Sequence, residues 1–125
     1  MSKVIERYLH EHQLVSVMNN TKWNKLVSAI TSDETFNPAV NIKYVLDSDN
    51  KAKFAPVWWN EIAAEGYKLI EWLEIYPFKD ERVGVLVPAL KHEYTAFIQK
   101  ALKENNIPYV LERGIFRIYG YTRPH

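Results

Sequence analysis

Cysteine is absent from the sequence, and glycine is scarce. Without cysteine the chain forms no disulfide, has no thiolate nucleophile and offers no cysteine ligand to zinc or an iron–sulfur cluster. The 4 glycines stand singly at positions 66, 84, 114 and 120, so no glycine-rich loop can cradle a phosphate. These absences remove cysteine-dependent chemistry and motif-based nucleotide binding from the candidate functions.

The sequence also lacks an excess of charge and a long apolar run. Its 16 basic and 15 acidic residues leave a net charge of +1. Domains that bind nucleic acid through their overall electrostatic potential are usually strongly basic. No apolar stretch reaches the roughly 20 residues that cross a bilayer, and charges scattered through the first ten residues do not fit a secretory signal. We therefore expect a cytoplasmic protein with no membrane partner, and we do not expect nucleic acid as its main partner.

The residues that are present are typical of a globular protein. The chain has 125 residues, of which 47% are hydrophobic and 25% charged. Periodicity predicts helices over 3–12, 22–31 and 90–104, the second capped by Thr21. Strands are predicted over 40–46, 67–76, 82–87, 109–111 and 115–121, with a turn over 77–81. Residues 52–59 are predicted as a hairpin arm in which Pro56 limits strand pairing. Because the strands come as neighbouring pairs, the predicted fold class is α+β: a mostly antiparallel sheet built from hairpins, with helices packed on one face.

A domain boundary is predicted near Met18. The polar pair Asn19 and Asn20 separates the first apolar segment from the helix that follows. We interpret residues 1–17 as an accessory N-terminal arm or a short helix, and residues 18–125 as a single α+β domain.

No constellation in the sequence predicts catalysis or a metal site. His10 and His12 are two residues apart and point to different sides of a helix, whereas zinc-binding helices use histidines four apart. Glu71 and Glu74 are three apart in a predicted strand, so we expect them on opposite faces, each in a cross-strand ion pair. We predict no catalytic residue, no metal, no cofactor and a protein that is not an enzyme.

The last predicted strand carries a candidate partner-binding surface. Alternation places Arg117, Tyr119 and Tyr121 on one face, with Arg123 continuing the series, while Phe116 faces the core. Arginine and tyrosine on an exposed sheet are typical both of protein interfaces and of base-stacking platforms. A structural alternative stays open, in which the tyrosines pack under helices and Arg117 pairs with a glutamate.

Two adjacent tryptophans, Trp58 and Trp59, are further candidates for partner binding. Neighbouring strand residues face opposite ways, so at most one of the pair points toward a given core. The other lies under another element or at the surface, where tryptophan is a typical binding anchor. An alternative stays open, in which the segment is a loop and both tryptophans pack inward.

Several motifs resemble those of a known family. These are Thr21-Lys-Trp-Asn, Ile70-Glu-Trp-Leu-Glu-Ile75, Ile107-Pro-Tyr and Gly114-Ile-Phe-Arg-Ile-Tyr-Gly-Tyr121. Together they resemble a small bacterial family of uncharacterised function over about residues 18–123. The resemblance supplies no catalytic residues, and small bacterial proteins of this kind often resemble immunity proteins, which neutralise the toxin domains of contact-dependent or other polymorphic toxin systems.

Three classes of function follow as hypotheses. We favour a non-catalytic domain that binds another protein, with an immunity protein and its cognate toxin domain as the expected example. The alternatives are a module that binds RNA or single-stranded nucleic acid through Arg117, Tyr119, Tyr121 and Arg123, and a small enzyme without a recognisable motif. The sequence predicts neither the identity of the partner nor the oligomeric state.

Overall fold

A computed structural model describes residues 2–33, 36–46, 54–81 and 90–122 of the chain. Four helices lie in these ranges: α1 Ser2–Glu11, α2 Asn20–Ile30, α3 Trp59–Glu65 and α4 Thr95–Glu104. The strands there are β1 Val15–Ser16, β2 Ala39–Tyr44, β3 Ile70–Tyr76, β4 Phe78–Glu81, β5 Leu90–Glu93, β6 Val110–Glu112, β7 Ile115–Tyr119 and β8 Tyr121–Thr122. A single 3₁₀ turn, Tyr67–Leu69, leads into β3.

The main sheet has four antiparallel strands in the order β2-β3-β7-β6. Two-stranded sheets join β1 to β8 and β4 to β5, also antiparallel. The predicted fold class, α+β with a mostly antiparallel sheet, is therefore confirmed. The hairpin between β6 and β7 turns at Arg113 and Gly114, whose φ values of 53° and 78° are those of a type I′ turn.

Helices α2 and α4 cover one face of the main sheet. The covered face presents the buried side chains of Val40, Leu73, Ile75, Phe116 and Ile118. Leu26 and Ile30 of α2 and Ile98 and Leu102 of α4 complete the same core. In each helix these two residues are four positions apart, so each helix buries one apolar stripe.

The opposite face of the sheet, which we call the open face, presents Asn41, Lys43, Trp72, Glu74, Ile115, Arg117 and Tyr119. On this face Asn41 is buried, whereas the side chains of Glu74 and Arg117 are partly exposed. None of the helices in the described ranges is long and apolar enough to cross a membrane.

Several boundaries differ from the sequence predictions. The cap of α2 is Asn19 and not Thr21: its side chain accepts a hydrogen bond from the amide of Lys22 at 2.8 Å, and Thr21 lies inside the helix. Segment 77–81 is mostly strand, because Phe78–Glu81 pairs with Leu90–Glu93. The same pairing holds Leu90 in a strand, so α4 begins only at Thr95.

Other predicted segments are more limited than expected or fall outside the described ranges. The structure describes residues 54–59 of the predicted hairpin arm over 52–59, and among these only Ala55 pairs, in a single bridge with Val40. Pro56 follows it and lacks the N–H that would extend the ladder. The predicted strand over 82–87 lies outside the described residues.

The described part of the first seventeen residues, 2–17, contacts the rest of the chain. Ile5 of α1 is buried, and β1 pairs with β8. The amide of Val17 also donates to the carbonyl of Gly120 at 2.9 Å. The interpretation of this segment as an accessory arm stays a prediction.

Candidate binding surface

The open face is organised around a row of three directly paired residues. Register places Asn41 opposite Glu74, and Glu74 opposite Arg117. The amide of Asn41 donates to Glu74 Oε1 at 3.1 Å, while Arg117 donates to Glu74 Oε2 from Nε at 3.0 Å and from Nη2 at 2.6 Å. Both oxygens of the carboxylate are therefore bonded, and the row links three strands of the sheet.

Aromatic rings flank this row and hold the guanidinium in place. The guanidinium carbon of Arg117 lies 4.4 Å from the centroid of the Trp72 ring, within the range of a cation–π contact. Arg117 Nη1 also donates to the hydroxyl of Tyr119 at 3.3 Å. We call Trp72, Glu74, Arg117 and Tyr119 the arginine cluster.

The arginine cluster is partly accessible to solvent. The side chain of Arg117 is 37% exposed and that of Glu74 is 16% exposed. Burial alone lowers the pKa of the Arg117 guanidinium, but hydrogen bonds to Tyr119 and Glu74 and the charge of Glu74 outweigh it, so the net pKa is raised. The cluster therefore presents a permanently charged, pre-oriented guanidinium at the surface.

A second ion pair lies on the same face because β3 contains an irregularity. Lys43 pairs with Trp72 and Tyr44 with Ile70, so Glu71 is an extra residue in β3. Lys43 Nζ lies 3.1 Å from Glu71 Oε1. The expectation that Glu71 and Glu74 lie on opposite faces is wrong, because such a bulge breaks the two-residue alternation. The expectation of cross-strand ion pairs for both acids is confirmed.

A shallow hollow of about 220 Å³ adjoins the arginine cluster at the edge of the sheet. It is lined by Glu74, Val110, Glu112, Arg113, Ile115, Arg117 and Tyr119. Strand β6 forms this edge, and its Val110 is 41% exposed. Apolar and charged groups thus meet in one concave area.

Among the predicted partner-binding residues that the structure describes, only Arg117 and Tyr119 come together on the open face. Tyr121 is not on their face: its ring is buried and its hydroxyl donates to the carbonyl of Lys68 at 2.8 Å. The alternation of side chains between the two faces of the sheet ends at Gly120. The amide of Gly120 donates to the carbonyl of Glu71 at 2.8 Å. Arg123 lies outside the described residues.

The two tryptophans lie away from the open face. Trp58 precedes α3 and is 78% exposed, whereas Trp59 packs against the core, so one of the pair faces inward as expected. Trp59 Nε1 is buried and has no hydrogen-bond partner among the described residues.

Sequence reasoning did not identify Trp72 and Asn41 as members of the surface. The available signal was the pair of acidic residues Glu71 and Glu74 in a mostly apolar strand, because a half-buried acid requires a partner. In the parts of the chain that the structure describes, no three His, Cys, Asp or Glu side chains are grouped to hold a metal ion.

The fold and the surface together define a class: an α+β domain with one helix-covered sheet face and one open face that carries an arginine–aromatic cluster. The chain belongs to the family of unknown function DUF6678, whose family model matches residues 5–125. The match therefore includes most of α1, which lies ahead of the motifs that carry the family resemblance. No curated protein and no solved structure matches the chain.

Proposed function

We propose that the protein is a non-catalytic binding domain that contacts another protein through its open face. The observation that carries this proposal is the arginine cluster, pre-oriented on the open face beside the edge hollow. Tryptophan, tyrosine and arginine are the residues that most often dominate protein-interface energies. Because Arg117 is already held by Glu74 and Trp72, a partner orders few side chains on binding, which lowers the entropic cost.

The pairing of the acids supports binding over catalysis. Glu74 already accepts bonds from Asn41 and Arg117, and Glu71 is paired with Lys43. A general acid or base needs a carboxyl group within reach of a substrate proton, and these two groups are committed to the sheet.

A site-specific cross-linking experiment tests the proposal. A photoreactive benzoylphenylalanine replaces Ile115, which lines the edge hollow, and in a matched control it replaces Lys100, an exposed residue of α4. Irradiation in the native host should give a discrete protein adduct from position 115 that is absent from position 100. Equal adducts at both positions, or none at 115, would contradict the proposal.

The expected partner is a toxin domain, on the strength of the resemblance to immunity proteins. The partner identified from the adduct is then expressed in a test host with and without this protein. Immunity predicts that the partner alone arrests growth and that co-expression restores it. An adduct with RNA at position 115 would favour the nucleic-acid alternative, and substrate turnover by the purified protein would favour the enzyme.

A further inference from the structure

A second surface lies beside α3 and shares no residue with the open face. It consists of two adjoining hollows of about 280 and 290 Å³. Tyr44 and Glu65 line both of them, so they form one continuous groove, which we call the tryptophan groove. Tyr44 also packs against the core, which places the groove on the helix-covered side of the edge strand β2.

The lining of the tryptophan groove is mainly apolar. One hollow is lined by Ile5, Leu46 and Leu69 in addition to the two shared residues. The other is lined by Pro56, Val57, Trp58, Glu61 and Ile62. Trp58 exposes 78% of its surface and Leu46 exposes 46%, so two large apolar side chains stand at the groove without a cover from the described residues.

The described lining residues of the groove carry charge of one sign. The charged residues among them are Glu61 and Glu65, both exposed and four apart on α3. Neither forms an ion pair with any residue in the described ranges. Like charges four apart on a helix repel one another, so a cation placed between them relieves that repulsion.

We propose that the tryptophan groove binds a cationic amphipathic segment of a partner protein. Its apolar side chains occupy the two hollows, one of which is lined by Trp58, and its lysine or arginine side chains lie against Glu61 and Glu65. The acidic rim repels phosphate groups, so the same features disfavour nucleic acid and anionic lipid. Apolar anchors at helical spacing on a partner segment match a groove of this kind.

Selection from a peptide library tests the inference while the natural partner is still unidentified. A random dodecamer display library is panned against the full chain, and the enriched peptides are synthesised. We expect them to combine large apolar residues with a net positive charge. Their affinity should fall as salt rises, because exposed ion pairs are screened. No enrichment, or enrichment without a positive bias, would overturn the proposal.

Variants locate the binding site of those peptides. Trp58→Ala should weaken binding at least tenfold, as expected for an anchor. The double variant Glu61→Gln/Glu65→Gln should weaken it by about threefold to tenfold, while Glu104→Gln, which removes an exposed acid that lines neither hollow, should leave it unchanged. Peptides that bind the Trp58→Ala protein as well as the wild type would contradict the assignment, as would Trp58-dependent binding to anionic vesicles.

Discussion

The two faces of the main sheet are built from alternate residues of the same strands, yet they are stabilised differently. On the covered face, Leu73 and Phe116 have no exposed surface and contact the helices. One residue further along each strand, Glu74 and Arg117 keep part of their surface in solvent and are held by hydrogen bonds and a cation–π contact. Apolar burial stabilises the covered face, and polar pairing stabilises the open face. Substitutions on the open face can therefore change binding without removing core packing.

The largest expected effect belongs to the covered face. Phe116→Ala removes a fully buried ring that packs beside Tyr109, with centroids 5.5 Å apart. We expect a loss of about 3–5 kcal/mol in the free energy of unfolding, because a large cavity remains. Denaturant unfolding measures it, and a loss below about 1 kcal/mol would show that the covered face does not hold the fold.

Gly120 lies between β7 and β8, where the strand alternation of the open face ends. A Cβ added there would collide with the backbone carbonyl oxygen of Ile70, which cannot rotate away. Gly120→Ala should therefore cost about 1–3 kcal/mol through backbone displacement. Thermal and denaturant unfolding check this cost. Wild-type stability would mean that the close approach of these two strands is not required.

The arginine cluster should contribute less than the core. Glu74→Gln keeps the shape of the side chain but leaves the Arg117 guanidinium without its anionic partner. We expect a loss of about 1–2 kcal/mol, limited because Arg117 is partly exposed. The matched control is Glu104→Gln, which breaks an exposed pair with Lys100 at 3.8 Å and should cost about 0.5 kcal/mol or less. Equal losses for the two variants would show that the cluster is only a surface ion pair.

The smallest expected effect is a change in stability at alkaline pH, which tests whether Tyr121 is buried away from the open face. Burial raises the pKa of Tyr121 above its ordinary value. The unfolded chain therefore loses this proton first, at about pH 10, and stability falls as pH rises further toward the folded pKa. Unfolding measured between about pH 8 and 11 should show a shallower alkaline decline for Tyr121→Phe than for the wild type. An unchanged decline would show that the hydroxyl of Tyr121 is not buried as described.

Local patterns in the sequence predict much of the fold. The stripe of Phe97, Ile98, Ala101 and Leu102 identifies α4, and the alternation of Phe116 and Ile118 with Arg117 and Tyr119 separates the two faces of β7. Both predictions depend only on residue period. Gly114 similarly marks the turn of the last hairpin.

The remaining features depend on contacts between distant segments. The order of strands brings Asn41 and Trp72 to Arg117, and no local pattern specifies that order. The bulge at Glu71 and the close contact at Gly120 interrupt the alternation, which is why residue period alone places Glu71 and Tyr121 on the wrong faces. The tryptophan groove combines α1, β2 and α3, so it also becomes visible only in three dimensions.

The separation of fold and function between the two faces is tested most directly by two adjacent substitutions in β7. Ile118→Ala on the covered face and Tyr119→Ala on the open face are each measured for the free energy of unfolding and for affinity toward the partner cross-linked at position 115. We expect Ile118→Ala to lose about 2–5 kcal/mol of stability. We expect Tyr119→Ala to lose about 2 kcal/mol or more of binding energy with less than about 1 kcal/mol of stability. If Tyr119→Ala instead destabilises the fold as much as Ile118→Ala and leaves the affinity of the folded protein unchanged, the open face is structural and the central claim is wrong.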